Sequence, residues 1–282
     1  MRAALLSQPP LPRYAFVGTG MDMPLLQWLE KYTFPAEARF SDLSHARNVY
    51  GKAVARSLKG GTTTCSWFAT IHLEASKLLV DVVRAAGQRA HVGKVSMDRN
   101  SPPSYVEASA AAGLKDVERF VEYVEATSEV REPEPLVTPS VIPRFVPTCS
   151  SEMMHGLGRI SATMGRGGRK MPVHSHLSES LAEIAWVKEL HPDCETYADV
   201  YRTHGLLHDR SYMAHCVHCG SGEAATLKEA GCGLVHCASS NFMLKSGVLD
   251  VRQMLNKGIK VRHGDGGAKG ACPFWHRCCL AM

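Results

Sequence analysis

The sequence predicts a parallel α/β architecture closed into a barrel, and three observations predict it. Short β-compatible runs alternate with helix-compatible runs through most of the 282 residues, the rhythm of repeated βα units. The units number between six and eight. Ionisable and polar side chains gather where the predicted strands end, and a βα barrel builds its working face from those ends.

Taken in order, residues 1–13 are Pro-rich and aperiodic and read as an irregular leader. Residues 24–32 pattern as a short amphipathic helix, with Asp22 near its cap and Pro24 in its first turn. Residues 43–58 make a longer helix ended by Gly60 and Gly61. The β-branched run Thr62-Thr63-Thr64-Cys65 then opens the alternation. Further strands fit residues 90–95, 136–142, 171–176, 212–215, 233–237 and 259–261. Helices fit residues 74–86, 114–126, 152–163, 180–190, 222–230 and 248–257. Residues 131–135 form a charged connection broken by proline, and residues 165–170 a Gly and Arg turn. That turn lacks the Lys-Ser/Thr ending of a phosphate-binding loop. No internal repeat interrupts the pattern.

Bulk properties narrow the class. At 45% hydrophobic and 21% charged residues, the chain has ample material for one large core. The net charge of +5 is spread without a basic block, so nucleic acid is not an expected partner. The N-terminal apolar run is short and interrupted by prolines, unlike an export signal, and no stretch reaches membrane-spanning length. With ten cysteines, the chain reads as a soluble cytoplasmic protein holding reduced thiols, without membrane attachment.

Chemistry concentrates at 171–179, Met-Pro-Val-His-Ser-His-Leu-Ser-Glu. His174 and His176 are two residues apart and share one side of an extended chain, and Glu179 follows where strand gives way to helix. Two more predicted strand ends carry histidine, His215 and His236, and the strand at 136–142 runs into Pro143-Arg144-Phe145. In a parallel barrel these ends converge on one mouth. Neutral imidazoles with a carboxylate suit zinc, whose bound water loses a proton near neutral pH and can be served by a nearby glutamate. An arginine beside a phenylalanine can hydrogen-bond and stack on a planar heterocycle. Blander readings stand beside these. The paired histidines could be solvated on a turn, His236 could be a core residue, and Arg144 a surface ion-pair partner. The run His215-Cys216-Val217-His218-Cys219 has the spacing of half a structural zinc knot but lacks a second C-x-x-C. Cys149 and Cys237 read as ordinary buried thiols.

The segments 24–40, 59–64, 68–72, 87–98, Pro143-Arg144-Phe145, 175–179, Met213-Ala214-His215 and 236–241 closely resemble the guanine deaminase family of the metal-dependent amidohydrolase superfamily. The likeness runs over residues 14–261. It implies a distorted TIM-type (β/α)8 barrel, incomplete here, and zinc-assisted hydrolysis of guanine to xanthine and ammonia, with one Zn2+ per subunit, usually in a homodimer. By position, His176 resembles the fifth-strand metal ligand, Glu179 the proton-shuttling glutamate, and His215 the sixth-strand histidine near the metal and its water. Arg144 and Phe145 resemble the guanine-binding pair, to which His176 and Glu179 add contacts. His236 resembles a rim-shaping element. His174 takes no metal role, because the family often has another polar residue there. The unrelated zinc deaminases with H-x-E and P-C-x-x-C motifs are not matched.

Both ends depart from the family pattern. The first-strand His-x-His is replaced by Gln8-Pro9-Pro10-Leu11-Pro12, whose prolines argue against an interior strand and imply an unpaired barrel edge. Arg13 stands where a substrate-binding glutamine is expected. After the eighth strand the chain reads Val261-Arg262-His263-Gly264-Asp265-Gly266-Gly267, leaving Asp265 as a weak metal candidate one residue out of register. Residues 262–282 read as a non-family tail, and both ends as an altered frame or alternative exon. The last four residues, Cys279 to Met282, formally match a prenylation box but lack a neighbouring polybasic run. Losing two histidine ligands predicts poor zinc retention and impaired activity. The alternatives are an inactive isoform that works by dimerisation or partner binding, and an amidohydrolase acting on another aminopurine or a triazine.

Overall fold

The computed structural model of the chain describes residues 6–7, 23–128 and 135–264. Its strands are β1 (Leu6–Ser7), β2 (Thr64–Phe68), β3 (Arg89–Gly93), β4 (Val95–Ser96), β5 (Val137–Pro139), β6 (Ile142–Pro143), β7 (Val173–Leu177), β8 (Ser211–His215), β9 (Gly233–His236) and β10 (Lys260–His263). All of their pairings are parallel. One run is ordered β1-β2-β3-β5, another β10-β9-β8-β7, and β4 pairs with β6. A single bridge from Val141 to Val173 joins the two halves, and on the far flank β1 lies against β10. The strands thus follow one another round a ring, broken where β3 passes to β4 and β5 to β6. That is the distorted βα barrel the sequence predicts.

The helices are α1 (Leu25–Trp28), α2 (Phe34–Ala38), α3 (Leu43–Lys59), α4 (Leu73–Ala85), α5 (Ala110–Ala126), α6 (Ser151–Thr163), α7 (Leu181–Leu190), α8 (Tyr197–Thr203), α9 (Ser221–Glu229), α10 (Ala238–Met243) and α11 (Val251–Asn256). Local sequence explains their ends. Asp42 accepts from the N–H groups of Ser44 and His45 at 2.8 and 3.4 Å and starts α3, while Ser180 and Glu183 form a reciprocal cap on α7. Ala46, Val49, Tyr50, Ala53 and Val54 form the buried stripe of α3, at the spacing of one helical face. They pack with Trp67 and Val92 in a core beneath α4. A second core joins α5, α6 and α8 to β7 and β8.

Several expectations shift. Leu6–Ser7, inside the residues read as an irregular leader, pairs with Thr64–Cys65 as β1, ahead of the first proline, so the edge of β2 is covered there. The helix expected at 24–32 runs on. α1 passes through a wider π turn, Leu29–Thr33, into α2, where Pro35 has no N–H to return to the carbonyl four residues back. The strand expected at 62–65 starts at Thr64, because the Thr62 N–H is tied to Ser57 O at 3.0 Å. The expected strand 136–142 divides because the Ser140 N–H bonds Val92 O on one side, and the Val141 N–H bonds Pro172 O on the other. Gly93 permits that crowding. A Cβ there would lie 2.5 Å from Ile142 Cδ1 and from Ser140 O. α8 and α10 were not expected, and β10 continues to His263, into residues read as a tail.

Candidate active site

Inward-facing side chains fill the barrel in layers. In the lower layer His174 is wholly buried, with Nδ1 2.8 Å from Ser66 Oγ and Nε2 3.1 Å from Ser140 Oγ. Ser66 Oγ also lies 2.7 Å from the Tyr212 hydroxyl. Burial, helped by His91, pushes the His174 imidazole far below its ordinary value, so it stays neutral. Phe68 lies next to both histidines of the strand, its ring centre 4.6 Å from that of His174 and 5.0 Å from that of His176. Neither is a solvated turn residue.

His176, two residues on, belongs to the mouth. Its Nδ1 is 2.7 Å from Arg144 O. A carbonyl only accepts, so Nδ1 carries the proton and Nε2 the lone pair. The register pairs Leu177 with His215, and the rings of His176 and His215 stack with centres 5.4 Å apart and planes 19° apart. His215 Nδ1 lies 2.7 Å from Asn241 Oδ1 and 3.3 Å from Glu179 Oε1. Both are acceptors, which again puts the proton on Nδ1 and leaves Nε2 basic. Ser178, His215 and Cys216 have φ of 47°, 72° and 50°. Each such left-handed non-glycine residue costs about 1–3 kcal/mol and persists only where its surroundings impose it.

Glu179 is buried between β7 and α7. Ser246 Oγ approaches its Oε1 at 3.5 Å, and its backbone N–H donates to Glu183 Oε2 at 3.1 Å. Burial, then the neighbouring Glu179, raises the Glu183 carboxyl to about 8. The Tyr197 hydroxyl donates to its Oε1 at 2.9 Å. His236 is half-buried on the rim and is pushed below its ordinary value by burial and then by His215.

Arg144 is buried, which removes the surface ion-pair reading. Its Nη1 donates to Glu37 Oε2 and its Nη2 to Glu37 Oε1, the latter at 3.1 Å. The guanidinium carbon stands 4.9 Å from the Phe34 ring centre. Phe145 is buried in the apolar cluster that also holds Phe34, Phe68 and Leu244. The structure therefore brings His176, Glu179 and His215 together, and Arg144 meets them through its carbonyl. Sequence reading missed Glu37, Asn241 and Ser246. Glu37 and Asn241 lie in segments that carried the resemblance, without a chemical signature of their own; Ser246 lies outside them. Asp265, Arg13 and Cys279 fall outside the described residues.

Donor chemistry at His176 and His215 suits a zinc ion, since each imidazole is oriented through Nδ1–H towards an acceptor, which makes Nε2 the donor atom for a metal. Among the described residues no group of three or more His, Cys, Asp or Glu side chains is placed to hold a metal. The described donors therefore do not complete a metal site, and the run 215–219 does not form a zinc knot with its described neighbours. Among the described residues no helix is long and apolar enough to cross a membrane.

Comparison with known proteins gives the family. The Amidohydrolase family matches residues 11–281, a span that includes most of the residues read as a non-family tail. The chain is 47% identical over 262 residues to the guanine deaminase of Dictyostelium discoideum, covering 93% of this chain and 56% of that protein. It is 41% identical over 259 residues to that of Homo sapiens, covering 92% and 55%. The chain thus spans about half the length of these curated relatives. Among solved structures, guanine deaminase from C. acetobutylicum, with guanine bound in its active site, superposes with a TM-score of 0.88 at 38% identity. That match covers 96% of this chain and 63% of the other. A parallel βα ring, its strand-end histidines and glutamate, and a match across nearly all of its residues make this chain a member of the amidohydrolase family.

Proposed function

We propose that the chain is a guanine deaminase-like hydrolase that replaces the exocyclic amino group of guanine by oxygen, giving xanthine and ammonia. The observation that carries this reading is the convergence of Glu179 on His215, 3.3 Å apart, beside an oriented His176. Its likeness to proteins described as guanine deaminases supplies the substrate. Arg144 and Phe145 hold the planar base. With its Nη1 and Nη2 ends given to Glu37, Arg144 keeps an Nε–H/Nη2–H edge, two parallel donors that suit neighbouring acceptors such as O6 and N7 of guanine. Glu179 takes the proton from water as it adds to the carbon bearing the amino group, and returns it to the departing nitrogen. The Nδ1–H of His215 fixes the Glu179 carboxylate. His176 and Glu179 complete the contacts to the ring.

Zinc enters the proposal as an ion held by His176 and His215, with Asp265 as a third donor; when bound it would supply a water of lowered pKa. The resemblance expects a first-strand His-x-His where this chain reads Gln8-Pro9-Pro10-Leu11-Pro12, which favours low occupancy and reduced turnover. The same observation supports the second reading, an inactive isoform acting through a homodimer or another partner. Ten cysteines in a chain of 282 residues support a reducing, cytoplasmic setting. The deciding experiment measures bound zinc and ammonia release with guanine, adenine, cytosine and an aminotriazine. Turnover confined to guanine with zinc present supports the proposal. Ammonia release that favours another ring overturns it, and zinc-free protein without turnover establishes the inactive reading.

A further inference from the structure

Glu37 stands on α2, outside the strand ring, yet both of its carboxylate oxygens are committed to Arg144. It is 2% exposed and Arg144 5%. A pair this deep is weak evidence for stability as such, because a well-packed apolar pair of similar volume is often no less stable. What the pair does fix is direction. The two-point contact sets the plane of the guanidinium, Phe34 covers it at 4.9 Å, and Met97 Sδ lies 3.9 Å from Nη1. The wholly buried Tyr105 hydroxyl hydrogen-bonds the same carboxylate and accepts from the Ile71 N–H at 3.2 Å, so Glu37 is itself held. The other end of residue 144 orients the mouth, since its carbonyl receives Nδ1–H of His176. One residue is thus fixed by α2 through its side chain and fixes the β7 histidine through its backbone.

We propose that Glu37 is the positioning residue that aims the Arg144 guanidinium at the base, which rests on the guanine reading above. The commitment of Nη1 and Nη2 to Glu37 selects the Nε–H/Nη2–H edge for ligand. A glutamine in its place offers one acceptor oxygen instead of two, and the guanidinium plane is no longer set.

The test uses the whole chain with Glu37→Gln, Glu37→Asp, Arg144→Met and the double variant Glu37→Gln/Arg144→Met, each checked for cooperative melting. Guanine affinity is measured by calorimetry, and the Arg144 side-chain nitrogens are followed by NMR. Glu37→Gln is expected to weaken guanine binding about tenfold or more, the scale of a lost charge-assisted contact. It should also merge Nη signals that the unaltered chain keeps distinct, while Glu37→Asp restores part of both. In turnover, KM should rise more than kcat falls, because the arginine contact is made alike in ground and transition states. Adding Glu37→Gln to Arg144→Met should change affinity less than about twofold. Unchanged Arg144 signals in Glu37→Gln, or an equal loss of affinity in the Arg144→Met background, overturns the proposal. If the unaltered chain binds no guanine, the guanine reading fails and the Arg144 signals alone decide the role of Glu37.

Discussion

His215 and Asn241 meet through Nδ1 and Oδ1 at 2.7 Å, and Glu179 approaches the same nitrogen at 3.3 Å. One imidazole N–H is thereby shared by an amide carbonyl and a carboxylate. This orients the ring through Nδ1–H and holds Glu179 in place. If Glu179 moves the proton, Glu179→Gln keeps its shape but cannot accept one. Ammonia release is expected to fall about 100-fold or more, the range for losing a general base, with guanine affinity within about threefold. Paired calorimetry and ammonia assays check this, and a matched loss in both would assign Glu179 to binding instead.

Asn241 supports the histidine from behind, from the α10 turn. Asn241→Ala is expected to lower turnover about 10–100-fold, as loss of a partner that orients a site imidazole does. Asn241→Asp, which keeps an acceptor beside Nδ1, should recover most of it. Imidazole NMR of His215 provides the independent readout, since only the alanine variant should lose the Nδ1–H contact to residue 241.

How far the letters carried can be read from these same residues. Each strand end that bears chemistry was legible, because a β-compatible run followed by His or Arg-Phe marks a position along the chain, and parallel topology does the rest. His176, Glu179 and His215 are gathered for that reason. Partnerships across the fold were not legible. Glu37 and Arg144 are 107 residues apart in sequence, and no periodicity connects an acidic residue on a short helix to a buried guanidinium. The strand at 136–142 misled for a related reason. Its composition is uniformly β-compatible, whereas its division follows from hydrogen bonds to two different neighbours. β1 escaped notice because two paired residues leave no pattern, and α8 because seven residues barely make two turns.

Packing gives a contrast between two helical glycines. A Cβ on Gly158 in α6 would come 2.0 Å from His204 O, which is backbone and cannot swing away. A Cβ on Gly51 in α3 meets nothing within 4 Å. Gly158→Ala should therefore cost about 1–3 kcal/mol through overpacking. Gly51→Ala should gain about 0.5–1 kcal/mol from helix propensity. Urea unfolding reads both as shifts of midpoint at constant slope.

The Asp42 cap is a local contribution away from the candidate site. Asp42→Ala leaves the first N–H groups of α3 without their carboxylate and is expected to cost about 1 kcal/mol, with guanine affinity unchanged. Asp42→Asn should restore most of it. Melting curves of the three proteins decide.

His208 gives the fold a dependence on pH remote from the mouth. Its Nδ1 accepts the Arg210 N–H at 3.2 Å. Its Nε2 faces Ser161 Oγ at 3.1 Å, and that hydroxyl donates onward to Met171 O at 2.8 Å. The arrangement requires a neutral ring with Nε2–H as donor. Burial first, then Lys170, pushes its pKa down to about 4, against about 6.5 in an unfolded chain. Between those values the unfolded chain binds more protons than the folded one, so stability rises with pH across that window and is lost as pH falls through it. Above about pH 6.5 the contribution is complete and flat. His208→Gln, which can accept from Arg210 and donate to Ser161 without titrating, should flatten the fall in melting temperature between about pH 6.5 and 4. It should leave the neutral-pH value within a few degrees. An equally steep acid decline in the glutamine variant would assign the effect to other buried histidines.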